Sequence, residues 1–157
     1  MTSLKVVVFR CGNEDYAIPV DQVVSIEKLE QISPIPHLPN YFLGLMKIRG
    51  ELVPIVDFEQ ILYARSALSG EQSRIIVLQT EDMFIGLLVL EAKEILDIKK
   101  EDLKHIGLVN YVNTQYFSSV ANLENRMITL IDPTILVRTV DGIKEIQAHM
   151  ESVKAGK

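Results

Sequence analysis

Short apolar runs rich in valine and isoleucine recur along the chain between polar turn segments, at 6–9, 16–20, 23–29, 45–48, 52–58, 75–79, 84–90 and 127–131. Runs of this length, bounded by Gly, Pro, Asn and Asp, read as strands. Gly12-Asn13 and Glu81-Asp82 stand between paired runs, where a tight hairpin turn needs small or short polar residues. Pro34, Pro36 and Pro39 remove backbone donors from 33–40 and make it an extended surface connection, not a strand. Helical spacing is confined to two places. Phe58, Ile61 and Leu62 follow Asp57 three or four apart, and Asp132-Pro133 combines a capping carboxylate with a proline suited to the first helical position. The second signal predicts a C-terminal helix over 133–150, with Ile135, Leu136, Thr139, Ile143 and Ile146 on its inner face and a weak point at Gly142.

The halves of the chain repeat each other. Tyr41-Phe42 and Tyr116-Phe117 stand 75 positions apart, and the same gapless offset carries Ile48 to Leu123, Leu52-Val53 to Met127-Ile128, Ile55-Val56 to Leu130-Ile131, and Asp57 to Asp132. Earlier, residues 6–9 answer to 75–78, and Tyr16-Ala17-Ile18 to Phe84-Ile85-Gly86. Each half supplies about five strands, too few to hide both faces of an open sheet. Closing each set into a small barrel removes the exposed edges. The expected architecture is mainly β: two pseudo-symmetric five-stranded barrels over 5–66 and 73–132, with a short helix and a C-terminal helix. One larger barrel or a sandwich of ten strands meets the same burial pattern.

Composition narrows the function. Apolar residues make up 48% and charged residues 24% of the 157, a globular balance in which disorder is not the main state. One cysteine, Cys11, excludes an internal disulfide framework and a clustered-thiolate metal site. The apolar run at 6–9 is shorter than the core of a signal peptide, and the longest run, 83–90, is far below the roughly 20 residues of a membrane span. A cytoplasmic location without membrane insertion is expected. With 16 basic and 21 acidic residues and no basic cluster, nucleic acid is not an expected partner.

Catalytic motifs are missing from the sequence: no nucleophile elbow, phosphate-binding glycine loop, dinucleotide fingerprint or histidine pair at helical spacing. Cys11 has no basic or histidine neighbour in sequence to activate it. His37, His105 and His149 are scattered, which suggests no metal site. Asp57 and Asp132 end equivalent strands; capping explains them better than an acid–base pair. No catalytic residue, cofactor or metal is therefore assigned.

The segment 41–58, Tyr-Phe-Leu-Gly-Leu-Met-Lys-Ile-Arg-Gly-Glu-Leu-Val-Pro-Ile-Val-Asp-Phe, carries the most specific pattern. Gly44 stands six residues before Gly50, Arg49-Gly50 forms a turn, and an apolar-Pro-apolar-apolar-Asp-apolar run follows through Pro54 and Asp57. This resembles the signature of the CheW family, the coupling proteins of bacterial chemotaxis. The opening Val-Val-Phe, the hairpin through 16–20, the strand at 23–26 with its following Pro-x-x-Pro, and the segment 125–132 also fit. The residues account for the motif physically: Gly50 can take a positive φ, Gly44 permits close backbone approach, and Arg49 offers a fork of donors at the rim. Two departures stand out. Lys47 occupies a place where the family commonly has asparagine, a residue present at Asn122 in the second half. Ser25 stands where many members carry a glutamate that pairs with the motif arginine, and Glu27, two residues on and on the same strand face, is expected to pair with Arg49 instead.

The resemblance implies two SH3-like barrels and a non-enzymatic scaffold linking methyl-accepting chemoreceptors, at their cytoplasmic tip, to the regulatory domain of the histidine kinase CheA in membrane-associated arrays. The candidate protein-binding residues are Val23, Val24 and Ile26, Ile48 with Arg49 and Gly50, and Ile85, Leu87 and Val89; Gly44, Pro54, Asp57 and Asp132 are expected to be structural. An adaptor of another receptor or CheV-type system is the nearest alternative. A small-ligand or enzymatic β-barrel is the other.

Overall fold

The computed structural model describes residues 3–68, 70–105 and 115–155. Among the described residues, eleven strands and three α-helices follow the order β1 (Ser3–Cys11), β2 (Glu14–Pro19), β3 (Val23–Glu27), β4 (Phe42–Ile48), β5 (Glu51–Asp57), α1 (Phe58–Tyr63), β6 (Arg74–Gln79), β7 (Phe84–Val89), β8 (Glu91–Lys99), β9 (Leu103–His105), β10 (Phe117–Leu123), β11 (Arg126–Ile131), α2 (Pro133–Thr139) and α3 (Ile143–Ala155). The fold is mainly β, in two barrel-like sheets. One is six-stranded in the order β8-β1-β2-β11-β10-β9, the other five-stranded in the order β3-β6-β7-β5-β4.

The expected division into contiguous sub-barrels 5–66 and 73–132 does not describe these sheets. The six-stranded barrel takes hairpin β1–β2 from the first half and β8 to β11 from the second, while the five-stranded barrel takes β3, β4 and β5 from the first and hairpin β6–β7 from the second. The two halves exchange their leading hairpins. Each exchanged hairpin is sealed by a parallel pairing, β2 with β11 and β7 with β5, in which Ala17 opposes Leu130 and Gly86 opposes Ile55.

Strand register puts the duplication on a residue-by-residue footing. Every described pair of β4–β5 has its counterpart in β10–β11 at an offset of 75, down to the irregularities between Phe42 and Gly44 and between Phe117 and Ser119. In the leading hairpins the offset is 69: Tyr16 opposes Phe9 as Ile85 opposes Leu78, so Tyr16 answers to Ile85 and not to Phe84. The same 69 relates β3 to β8, with Ile26 opposite Ile76 and Ile95 opposite Val7.

Three cores result. Val6, Val8, Ala17, Ile98, Ala121, Ile128 and Leu130 fill the six-stranded barrel. Met46, Ile48, Val53, Ile55, Ile75, Val77 and Leu88 fill the five-stranded one. Between them runs a seam of Val7, Phe9, Tyr16, Ile18, Ile76, Leu78, Ile85, Leu87 and Val89, continued by Phe58, Tyr116, Leu136, Ile143 and Ile146. Successive strand residues face opposite sides, so a strand lying between a barrel interior and the seam must be apolar at every position. That requirement explains the unbroken apolar runs in β1, β6 and β7.

Aspartates stop the last strand of each half and start a helix. Asp57 accepts Gln60 N–H at 3.2 Å, and also the Ser66 hydroxyl and Ala67 N–H, both at 2.9 Å. Asp132 accepts Thr134 N–H at 3.0 Å and Ile135 N–H at 3.2 Å. Their own N–H groups donate to the carbonyls of Tyr41 and Tyr116, a second sign of the twofold relation. The single C-terminal helix expected over 133–150 is instead two, because Gly142 adopts φ +92° between α2 and α3.

Candidate protein-binding site

The nominated residues separate by burial. Ile85, Leu87 and Val89 are fully buried in the seam, and Ile48 closes the interior of the five-stranded barrel at 7% exposure. Their side chains cannot meet a partner without unfolding the barrels, which corrects their assignment as contact residues. Val23 is half-buried against the seam. Val24 and Ile26 are exposed, at 45% and 44%.

Register shows what that exposure means. Directly opposed residues of antiparallel strands share a face. Ile26 opposes Ile76 and Ile95 opposes Val7, and both Ile76 and Val7 lie in the seam. Ile26 on β3 and Ile95 on β8 therefore face the seam from its two flanks, at twin positions, and Ile95 is 61% exposed. Sequence reading missed Ile95 because β8, Glu-Ala-Lys-Glu-Ile-Leu-Asp-Ile-Lys, is too polar to register as a strand. The signal was available: an offset of 69 from Ile26 lands on it.

Arg49 and Gly50 form the two-residue turn between β4 and β5, with Ile48 opposite Glu51. Both have positive φ, 53° and 86°, as a type I′ turn requires, and a Cβ on Gly50 would meet nothing within 4 Å. Arg49 thus projects from the rim with a side chain 73% exposed, its Nε 3.6 Å from Glu27 Oε2. The expected Arg49–Glu27 pair is present, but at that length it is an ion pair and not a hydrogen bond. Glu27 Oε2 and Ser25 Oγ, on the same face of β3, are buried without a hydrogen-bond partner.

Gly44 has φ +133°, and a Cβ there would stand 2.1 Å from the Ser33 carbonyl oxygen. That contact matters because Ser33 and Leu45 exchange two backbone hydrogen bonds of 2.8 Å, linking the proline-rich connection to β4. Pro54 is buried in β5 just before the Ile55–Asp57 stretch that pairs with β7.

Ionisable groups at the seam are held neutral or tied up. Burial pushes the Cys11 thiol far above its ordinary value. Burial also raises Tyr16, whose hydroxyl shares a hydrogen bond with that of Tyr63, and raises Tyr116 to about 12. Glu59 is buried, accepts Gly12 N–H at 2.6 Å and bridges Arg65 at 3.1 Å, locking α1 to the β1–β2 turn. Among the described residues no group of three or more His, Cys, Asp or Glu is placed to hold a metal ion, and no helix is long and apolar enough to cross a membrane. At this site the outward groups are apolar side chains beside the seam and a rim arginine, an arrangement suited to docking a protein surface.

Comparison with known proteins agrees with this geometry. The family model described as CheW-like domain matches residues 5–141. Chemotaxis protein CheW of Rhizobium meliloti is 30% identical over 129 residues, covering 82% of this chain and 83% of the relative. Chemotaxis protein CheW of Bacillus subtilis is 27% identical over 132 residues, covering 83% and 85%. The crystal structure of the scaffolding protein TtCheW from Thermoanaerobacter tengcongensis superposes with a TM-score of 0.78 at 25% identity, covering 90% of this chain and 92% of that one. With its exchanged hairpins, its Gly44-to-Asp57 motif and a match along most of its length, the chain belongs to the CheW-like family.

Proposed function

We propose that the chain is a non-enzymatic scaffold that couples methyl-accepting chemoreceptors to the histidine kinase CheA in chemotaxis signalling. The observation that carries this reading is the exposure of Ile26 and Ile95 on the flanks of the seam, in a chain of the CheW-like family. A helical receptor tip laid along the seam would cover these side chains with its own apolar face. The kinase regulatory domain would meet the five-stranded barrel at the rim carrying Arg49 and Gly50. The scaffold would work in the cytoplasm and join membrane receptor arrays through these partners. Two separate patches let one chain bridge two molecules, and heterologous contacts of this kind extend into arrays when they do not close. Signal passes through such a bridge only if it binds the active and inactive assemblies with different free energies.

Sedimentation of the purified chain with a CheA regulatory domain, and separately with a receptor-tip fragment, tests the reading. Saturable binding to each is the expected result. Absence of both at tens of micromolar, where a binding free energy near −7 kcal/mol still registers, would overturn it.

A further inference from the structure

The twofold relation between the barrels makes their differences informative. At one end of the six-stranded barrel Arg126 of β11 bridges Asp15 of β2 and Glu94 of β8, each at 2.8 Å, and Lys93 adds a bridge to Asp15 at 3.3 Å. The two carboxylates in turn hold the Arg126 guanidinium firmly protonated. Offsets of 75 and 69 carry Arg126 to Glu51, Asp15 to Phe84, and Glu94 to Ser25. The five-stranded barrel therefore has an acid where its twin has the bridging cation, and an aromatic ring where its twin has the acid.

Phe84 is 43% exposed and Leu52 39%. Together with Met83 and with Met150 of α3 they wall a cleft of about 320 Å³. Glu51 also lines it and makes no ion pair among the described residues. The β6–β7 turn, which is held in place, lines it as well. The Thr80 hydroxyl accepts the N–H groups of Asp82 and Met83, Arg138 of α2 bridges Glu81 at 3.2 Å and Asp82 at 2.8 Å, and Gln147 of α3 donates to the Asp82 carbonyl. The cleft is thus preformed, with apolar side chains of Leu52, Met83, Phe84 and Met150 set among polar ones and with Glu51 as the acid that has no cation partner among the described residues.

We propose that this cleft docks a segment of another protein in which a basic residue stands next to a large apolar one. The apolar side chain packs against Phe84 and Leu52, and the basic group pairs with Glu51, supplying from outside the cation that Arg126 supplies internally in the twin. Because the cleft is open along one side, it does not enclose a small molecule, which normally buries most of its surface. The inference does not depend on what docks at the seam.

The test uses the full chain, isotope-labelled for amide NMR, and two synthetic amphipathic peptides, one of leucine and lysine and the other of leucine and glutamate. The leucine–lysine peptide should bind, with the largest shifts at Leu52 and in the 80–84 turn. The leucine–glutamate peptide, and the leucine–lysine peptide on either Phe84→Ser or Glu51→Lys, should bind at least tenfold more weakly. Both substitutions are at exposed positions, and a retained thermal midpoint certifies each. Equal binding of the two peptides, shifts centred elsewhere, binding indifferent to both substitutions, or no binding by the leucine–lysine peptide would each overturn the proposal.

Discussion

Replacing Ile26 and Ile95 with serine separates docking from folding. Full burial of an isoleucine side chain stabilises by about 1.5–3 kcal/mol. Ile26 is 44% exposed and Ile95 61%, so covering what remains exposed is worth roughly 0.7–1.3 and 0.9–1.8 kcal/mol respectively. If a receptor helix covers both, the double substitution should weaken its binding by about 1.5–3 kcal/mol, or roughly 10- to 100-fold in Kd. By the same measure the part of each side chain already covered in the fold is worth roughly 0.8–1.7 kcal/mol at Ile26 and 0.6–1.2 kcal/mol at Ile95, so each serine substitution should lower stability by about 1 kcal/mol and leave the chain folded. Ile85→Ser is the contrasting variant. Its side chain is fully buried in the seam, and its loss should cost about 3 kcal/mol or more of unfolding free energy. The assay is fluorescence anisotropy with a labelled receptor-tip fragment, alongside urea denaturation of each variant. A folded Ile26→Ser, Ile95→Ser variant that binds as tightly as the parent refutes the seam-flank site. So does an Ile85→Ser variant that keeps its stability yet loses binding.

Three further outcomes follow from the geometry. Gly44→Ala forces a Cβ to within 2.1 Å of the Ser33 carbonyl at a φ of +133°, and should destabilise by about 3 kcal/mol or more; a loss under about 1 kcal/mol in urea denaturation contradicts the close approach. Arg49→Glu should weaken binding of the kinase domain by more than it lowers stability; because it replaces the cation 3.6 Å from the buried Glu27 Oε2 with a like charge, a modest fall in thermal midpoint accompanies it, and a loss of folding as large as the loss of binding would make the residue structural. The Arg138 guanidinium beside Asp82 holds its carboxyl below the ordinary value of 3.8, so the stability from this pair is in place above about pH 4 and is lost as the pH falls through the lowered value. An NMR titration should find Asp82 below the usual range, returning to it in Arg138→Gln; an ordinary value in the parent contradicts the bridge.

The gapless repeat between 41–57 and 116–132 was legible because the aromatic pairs and capping aspartates recur at one spacing, and the register of β4–β5 and β10–β11 reproduces it. In the leading hairpins valine-rich strands slide past one another without penalty in the pattern, and the alignment of Tyr16 to Phe84 was one residue out. Hairpin exchange was not legible: the same strands with the same apolar faces fill a barrel whether its hairpin comes from its own half or from the other. That exchange is also why Ile85, Leu87 and Val89 misled. An exposed docking strand and a strand buried on both faces each read as a continuous apolar run, and only the second barrel packed across the seam distinguishes them. Ile95 and the other outward residues of β8 were hidden by the polar neighbours that make β8 a flank strand. Arg49 and Glu27, by contrast, were paired correctly, because the family resemblance supplies an acid partner for the motif arginine at the place of Ser25 and strand alternation carries that role two residues on.

The scaffold role rests on bridging, so the most direct measurement counts kinase recruited to receptor. Membranes bearing a methyl-accepting chemoreceptor are pelleted with CheA, with and without this chain, and the pelleted kinase is quantified. The account predicts that kinase recruitment rises and saturates with added chain, and that the Ile26→Ser, Ile95→Ser variant, though folded, fails to raise it. Recruitment that is the same without the chain, or that the folded variant supports fully, would contradict it.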